Sequence, residues 1–138
     1  MTAPLLLDTC TALWVVAGEG MSKSAESVLL DAYNAGVPVY LSPISAWEIG
    51  MLASKGRFKS SLTPQRWLEE LLARPTIRFA EMNASLLIES SFLPGKRLRD
   101  PADRIIAATA REYGFTVVTR DRALLDYAEQ GYLNALPC

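Results

Sequence analysis

The chain has 138 residues, half of them hydrophobic, with 14 basic and 15 acidic side chains, two cysteines and no histidine. That length suits one domain, residues 1–138, and the composition is that of a globular chain rather than a disordered or fibrous one. The missing histidines exclude His-based zinc sites and Ser-His-Asp triads, Cys10 and Cys138 lack any metal-ligand spacing, and no apolar run is long enough to span a membrane.

The start, Met1-Thr2-Ala3-Pro4, has no basic region before its short apolar run, so no signal peptide is expected and the cytoplasm is the default location. Pro4 to Thr9 reads as a short buried strand, because Leu5-Leu6-Leu7 shows no polar alternation, and Asp8 ends that run. Thr11 to Ala17 reads as a helical turn ending at Gly18. Ser22 is placed to cap a helix through Ala35, with Ala25, Val28, Leu29 and Ala32 on one face and Gly36 closing it. Val37 to Leu41, β-branched and aromatic, reads as a second strand. Pro43 then opens a helix to about Ser54, with Glu48 set among Ile44, Trp47, Ile49 and Leu52.

Thr63-Pro64 starts a further helix carrying Trp67, Leu68, Leu71 and Leu72 in helical spacing, and Ile77 to Ala80 is a third short strand. Asn83 can cap a helix with Leu86, Leu87 and Ser90, broken near Pro94-Gly95. Asp100-Pro101 start a helix ending at Gly114, with Asp103 on the face of Ile106, Ala107 and Ala110. Phe115 to Thr119 reads as the last strand; Asp121 follows it, then a short helix containing Leu124, Leu125 and Tyr127. Strands alternating with helices imply parallel pairing, in an α/β sandwich with helices on both faces of the sheet.

Asp8, Glu48, Asp103 and Asp121 all stand where a chain would rather place apolar or neutral residues, since an ionised carboxylate is costly to bury unpaired. Ligands of open α/β sheets bind beyond the carboxyl ends of the strands, which is where Asp8 and Asp121 fall and where the helix bearing Glu48 begins. Placing Asp103 there rests on the sheet packing of its apolar face. Local explanations compete: Asp103 with Asp100 as a capping arrangement, Asp8 as a strand-end turn, Asp121 as the cap of the next helix. Glu48 has no such local excuse. Carboxylates without histidine or cysteine are hard oxygen ligands suited to Mg²⁺ or Mn²⁺, and such sites hydrolyse phosphodiesters with a metal-activated water. Thr9, Ser45 and Thr119 lie beside the acids and can orient them or bond to the backbone. With the four acids set aside the remaining charge is mildly basic, gathered at Lys55, Arg57, Lys59 and at Lys96, Arg97, Arg99.

Four blocks in this order resemble the PIN-domain ribonucleases, and within them the VapC-type toxins of type II toxin–antitoxin systems: Leu-Leu-Leu-Asp8-Thr9; Ser45-Ala-Trp-Glu48-Ile followed by Lys55-Gly-Arg57; Asp100-Pro-Ala-Asp103-Arg104 with the apolar run after it; and Val-Val-Thr119-Arg-Asp121. The resemblance spans nearly the whole chain. It implies a PIN-like three-layer α/β/α sandwich around a mostly parallel sheet of four or five short strands, with Asp8, Glu48, Asp103 and Asp121 as metal-binding catalytic acids. It further implies Mg²⁺ or Mn²⁺ as cofactor, RNA as substrate, a cognate antitoxin as protein partner and pairing into a homodimer. Thr9, Lys55, Arg57, Arg104 and Thr119 become substrate-contacting candidates, with a structural role as the other option for Arg104. The chain departs from many relatives in carrying Leu98-Arg99 where a histidine precedes the third block, and Cys10 after the Asp-Thr pair, read here as a small buried residue. Trp14, Trp47 and Trp67 could serve partner surfaces, although core positions account for each of them.

Two other readings are open at this stage. A phosphatase using Asp8 as nucleophile would want a second Asp two residues on, where Cys10 stands. A catalytically silent module of the same fold would hold RNA or a protein partner without cutting.

Overall fold

A computed structural model describes residues 3–18, 20–95 and 98–138. The chain runs β1 (Leu5–Leu7), α1 (Thr9–Ala17), α2 (Lys23–Ala35), β2 (Val39–Leu41), α3 (Ile44–Ser54), α4 (Pro64–Leu72), β3 (Ile77–Phe79), α5 (Ala84–Glu89), α6 (Pro101–Tyr113), β4 (Thr116–Thr119), α7 (Arg122–Glu129) and β5 (Asn134–Pro137). The five strands form one sheet in the order β3-β2-β1-β4-β5, every pairing parallel. This is the α/β sandwich expected, with one addition. The sequence reading ended its strands at Thr119, whereas β5 adds an edge strand beside β4. Its segment, Asn134-Ala-Leu-Pro137, is short, half-exposed and ends in a proline, a composition tolerated only at a sheet edge.

β1 is central and carries no polar residue because both its faces are covered. Leu5 and Leu7 point into one core with Ala12, Ala25, Ala32, Ile49, Trp67 and Leu71, drawn from α1 to α4. Leu6 points the other way, into a core with Ile106, Ala107, Ala110, Leu124 and Tyr127 from α6 and α7. β4 repeats the division, Val118 joining the first core and Val117 the second. Helix α3 contacts α1 and α4 of one layer and α6 of the other, so it crosses between the layers.

The caps fall where side chains can satisfy free N–H groups. Ser22, Thr63 and Asn83 each accept from the third residue of the helix that follows, and α4 and α6 open on Pro64 and Pro101. The α1–α2 connection is held by Arg120, from the turn after β4. Its guanidinium lies 4.0 Å from the centre of the Trp14 ring and donates to the Gly20 and Cys138 carbonyls. Gly20 has φ 101°, and a Cβ there would stand 2.8 Å from the Trp14 ring, so both backbone and packing require glycine. Among the described residues no helix is long and apolar enough to cross a membrane.

Candidate metal and nuclease centre

The carboxyl edge of the sheet opens into a cleft of about 390 Å³ whose wall includes Asp8, Glu48, Asp100, Asp103 and Asp121. Three strand or helix junctions supply four of them. Asp8 follows β1 directly, its backbone N–H still bonded to Val118 O of β4 at 3.0 Å. Asp121 follows β4 and caps α7, accepting from Leu124 N at 3.1 Å. Asp100 caps α6, accepting from Ala102 N and Asp103 N at 2.8 and 3.1 Å, which presents Asp103 from the first turn. Glu48 comes from the middle of α3, the helix that crosses between the layers.

Hydroxyl groups hold two of these acids. Asp8 is 5 % exposed; its Oδ1 accepts from Thr9 N at 2.8 Å and its Oδ2 from the Thr119 hydroxyl at 2.7 Å. Thr119 Oγ1 in turn accepts the Asp121 N–H at 2.9 Å, so one threonine ties the first acid to the last. The Thr9 hydroxyl donates to Glu48 Oε1 at 2.5 Å. Its single proton is then committed, so in the 2.8 Å contact with Ser45 the serine is the donor. A directed chain from Ser45 through Thr9 to Glu48 results.

The electrostatics are those of crowded like charges. Burial pushes the Asp103 carboxyl up to about 8, helped by Asp121, Asp100, Asp8 and Glu48. Burial also raises Asp8, against its hydrogen bonds from Thr119 and Thr9, and raises Glu48 against its bond from Thr9; neighbouring acids add to both. Among the described residues the ion pairs are Arg66–Glu69, Arg122–Asp126 and Arg122–Glu129, none involving a cleft acid. Negative charge therefore gathers here with none of the cleft acids in an ion pair among the described residues. A hard divalent cation fits such an all-oxygen donor set. Among the described residues no three of these acids stand close enough to form a ready-made ligand group.

Comparisons with known proteins identify the family to which this fold belongs. The PIN domain profile matches residues 5–130. The chain belongs to the PIN-domain family. It is 32 % identical over 121 residues to "Ribonuclease VapC22" of Mycobacterium tuberculosis, covering 87 % of this chain and 88 % of that protein. Its fold resembles that of a chain in the crystal structure of VapBC2 from Rickettsia felis bound to a DNA fragment from their promoter, with a TM-score of 0.70 at 17 % identity, covering 96 % and 97 % of the two chains. A chain of FitAcB from Neisseria gonorrhoeae matches with a TM-score of 0.50 at 21 % identity, covering 96 % of each.

Within this PIN fold most of the residues singled out from sequence meet at the cleft. Thr9, Lys55 and Arg57 line it beside the four acids. Thr119 is fully buried and reaches the site only through Asp8 and Asp121, which makes it a carboxylate holder rather than a substrate contact. Arg104 does not join them: its Nε donates to Leu98 O at 2.6 Å, and it lines a separate cavity with Ser90 and Tyr127, the structural option of the two considered. Cys10 corrects its reading as a buried residue. It is exposed on the cleft wall, because the first turn of α1 buries Thr9, Thr11 and Ala12 instead. Although the residue is exposed, its thiol is partly desolvated against the cleft wall, which with Asp8 and Glu48 pushes it up to about 11, so it stays protonated at neutral pH. Lys96 and Arg97 lie outside the described residues. Asp100 is the cleft acid that sequence reasoning used only as a helix cap; its place one turn before Asp103 was the signal that it shares the same mouth.

Proposed function

We propose that this PIN-domain protein is a metal-dependent endoribonuclease acting as the toxin of a toxin–antitoxin pair. The observation that carries the reading is the convergence of five carboxylates at the carboxyl edge of the sheet, in a chain similar along most of its length to a VapC ribonuclease. Asp8, Glu48, Asp103 and Asp121 would hold Mg²⁺ or Mn²⁺. When bound, such a cation offsets the phosphate charge and lowers the pKa of a water molecule in the site.

The protein's own residues divide the remaining work. Thr119 and the Thr9 N–H fix both oxygens of Asp8, and Thr9 fixes Glu48, so the ligand oxygens are oriented before the cation arrives. Lys55 and Arg57, on the cleft wall, attract the RNA backbone towards an otherwise acidic mouth. The protein acts in the cytoplasm as a homodimer, and a cognate antitoxin restrains it. VapBC2 and FitAcB, which its fold resembles, support the partner assignment.

Incubation of total RNA with the purified protein and Mg²⁺ or Mn²⁺ tests the reading. Cleavage is expected, abolished by EDTA and by Asp8→Asn with the circular dichroism spectrum unchanged. Full activity of Asp8→Asn would sink the assignment. Tight RNA binding without metal-dependent cleavage would favour a silent module of the same fold.

A further inference from the structure

The cleft has one wall that the carboxylates leave free. Trp47, Met51 and Lys55 are each four residues apart along α3 and its C-cap, so they stand in a row on one side of the helix. All three line the acidic cleft, and Arg57 lines it just beyond the helix end. Trp47 is 57 % exposed, whereas Trp67 on the next helix is 2 % exposed. Leaving an indole in water forgoes a large burial gain. The same helix buries Ser45 and Ile49, so α3 has a core-facing side that the indole does not use.

The order along the row has a chemical meaning. At one end the indole adjoins Glu48 and the other acids; at the other end, about 12 Å along the axis, stand two cations. A nucleic acid strand alternates flat bases with single negative charges, and an exposed aromatic ring between two phosphate positions matches that alternation. A duplex would hide the base faces inside its stack, so the strand must be single. A polypeptide could cover the apolar part of the row, but only a nucleic acid strand carries a negative charge at every repeat beside a flat ring, as the pairing of Trp47 with Lys55 and Arg57 requires.

Building on the ribonuclease reading above, we propose that Trp47 is a stacking platform for a base of single-stranded RNA. It holds the nucleotide next to the phosphodiester at the carboxylates, while Lys55 and Arg57 take a neighbouring phosphate. Met51 extends the platform with a polarisable thioether at the ring's side. Stacking on an indole is tolerant of base identity, so this contact selects strandedness rather than sequence.

Binding of a short single-stranded RNA oligonucleotide is measured in the Asp8→Asn background with Mg²⁺, followed by quenching of tryptophan fluorescence. Trp47→Ala is expected to weaken binding about tenfold and remove most of the quenching. Trp47→Phe should keep most of the affinity, and Trp47→Leu should not. An abasic site at one position of the strand should cost the Trp47 protein the same factor and cost Trp47→Ala nothing further. Unchanged affinity in Trp47→Ala, or fully additive losses, overturns the proposal. So does a Trp47→Ala protein that binds RNA normally but changes oligomeric mass by light scattering, which would make this face a contact between copies. The two readings fail separately. Wild-type protein that binds with quenching yet cuts no RNA defeats the ribonuclease reading and keeps the platform. Wild-type protein that cuts RNA with the same KM as Trp47→Ala keeps the ribonuclease reading and defeats the platform.

Discussion

Asp103 has the most heavily raised carboxyl in the cleft, and its environment makes an unusual stability prediction. Its folded-state pKa of about 8 lies far above the ordinary value of 3.8, so the folded state binds the proton more tightly than the unfolded chain. Stability from this group is then fully present below pH 4 and is lost as pH rises through 8. Metal-free protein should therefore melt at progressively lower temperature between pH 5 and pH 9, through this group's share, and Asp103→Asn should flatten that slope. Thermal melts in EDTA across that range check it; an unaltered slope in the variant would show that another group is responsible. Thr119→Val tests the holder of Asp8. The swap leaves a buried carboxylate oxygen and the Asp121 N–H without their partner, so a loss of about 1–3 kcal/mol is expected in urea denaturation. At this scale the sequence singled out four of the five cleft acids, because a carboxylate in an apolar setting is visible as a local contradiction, whereas Asp100 passed as a helix cap. What it concealed was the division of labour among their neighbours. Whether Thr119 faces substrate or Asp8, and whether Arg104 reaches the cleft or Leu98 O, depends on rotamers and on packing across the sheet. Cys10 and Trp47 were hidden for the same reason, since a short helix with apolar residues on most sides does not announce which side is wet.

The elements themselves were largely legible from caps and breakers. Ser22, Thr63, Asn83 and Asp100 begin helices where their side chains can accept free N–H groups, and Gly36 and Gly114 end them in the left-handed conformation. β5 escaped because Asn134-Ala-Leu-Pro137 offers only two apolar side chains before a proline and no β-branched or aromatic residue; only its parallel pairing to β4 makes it a strand. The Trp14–Arg120 clamp likewise joins residues over a hundred positions apart, beyond any local pattern. Its weak point is Gly20. Gly20→Ala would combine an unfavourable positive φ with a clash against the Trp14 ring, costing about 1–3 kcal/mol. A shift in the urea midpoint larger than that of Gly50→Ala at an exposed position of α3, where a Cβ meets nothing, is the expected result.

Across the whole molecule, the cation site proposed for the acidic cleft would couple cation binding to folding. A cation that binds only the folded state raises its stability by mass action, by about 2.7 kcal/mol at a concentration one hundred times the Kd. Addition of Mn²⁺ should therefore raise the melting temperature of the wild-type protein and leave that of Asp8→Asn nearly unmoved; differential scanning fluorimetry reads this without any RNA present. An equal rise in both proteins would place the cation elsewhere.

The bond between Thr119 and Asp8 also sets when the centre can exist. It links positions separated by 111 residues, Asp8 directly after β1 and Thr119 at the end of β4, which are neighbours only once β4 has docked against β1. Earlier in synthesis the segment holding Asp8 has lost half of its lateral pairing, and the acid has no hydroxyl to fix its second oxygen. Long-range strand pairing of this kind is slow to form and arrives late. On the function proposed above, the cutting centre would be withheld from the growing chain on the ribosome and completed only once β4 has joined the sheet, so that a cell translating this protein would meet its chemistry one finished molecule at a time.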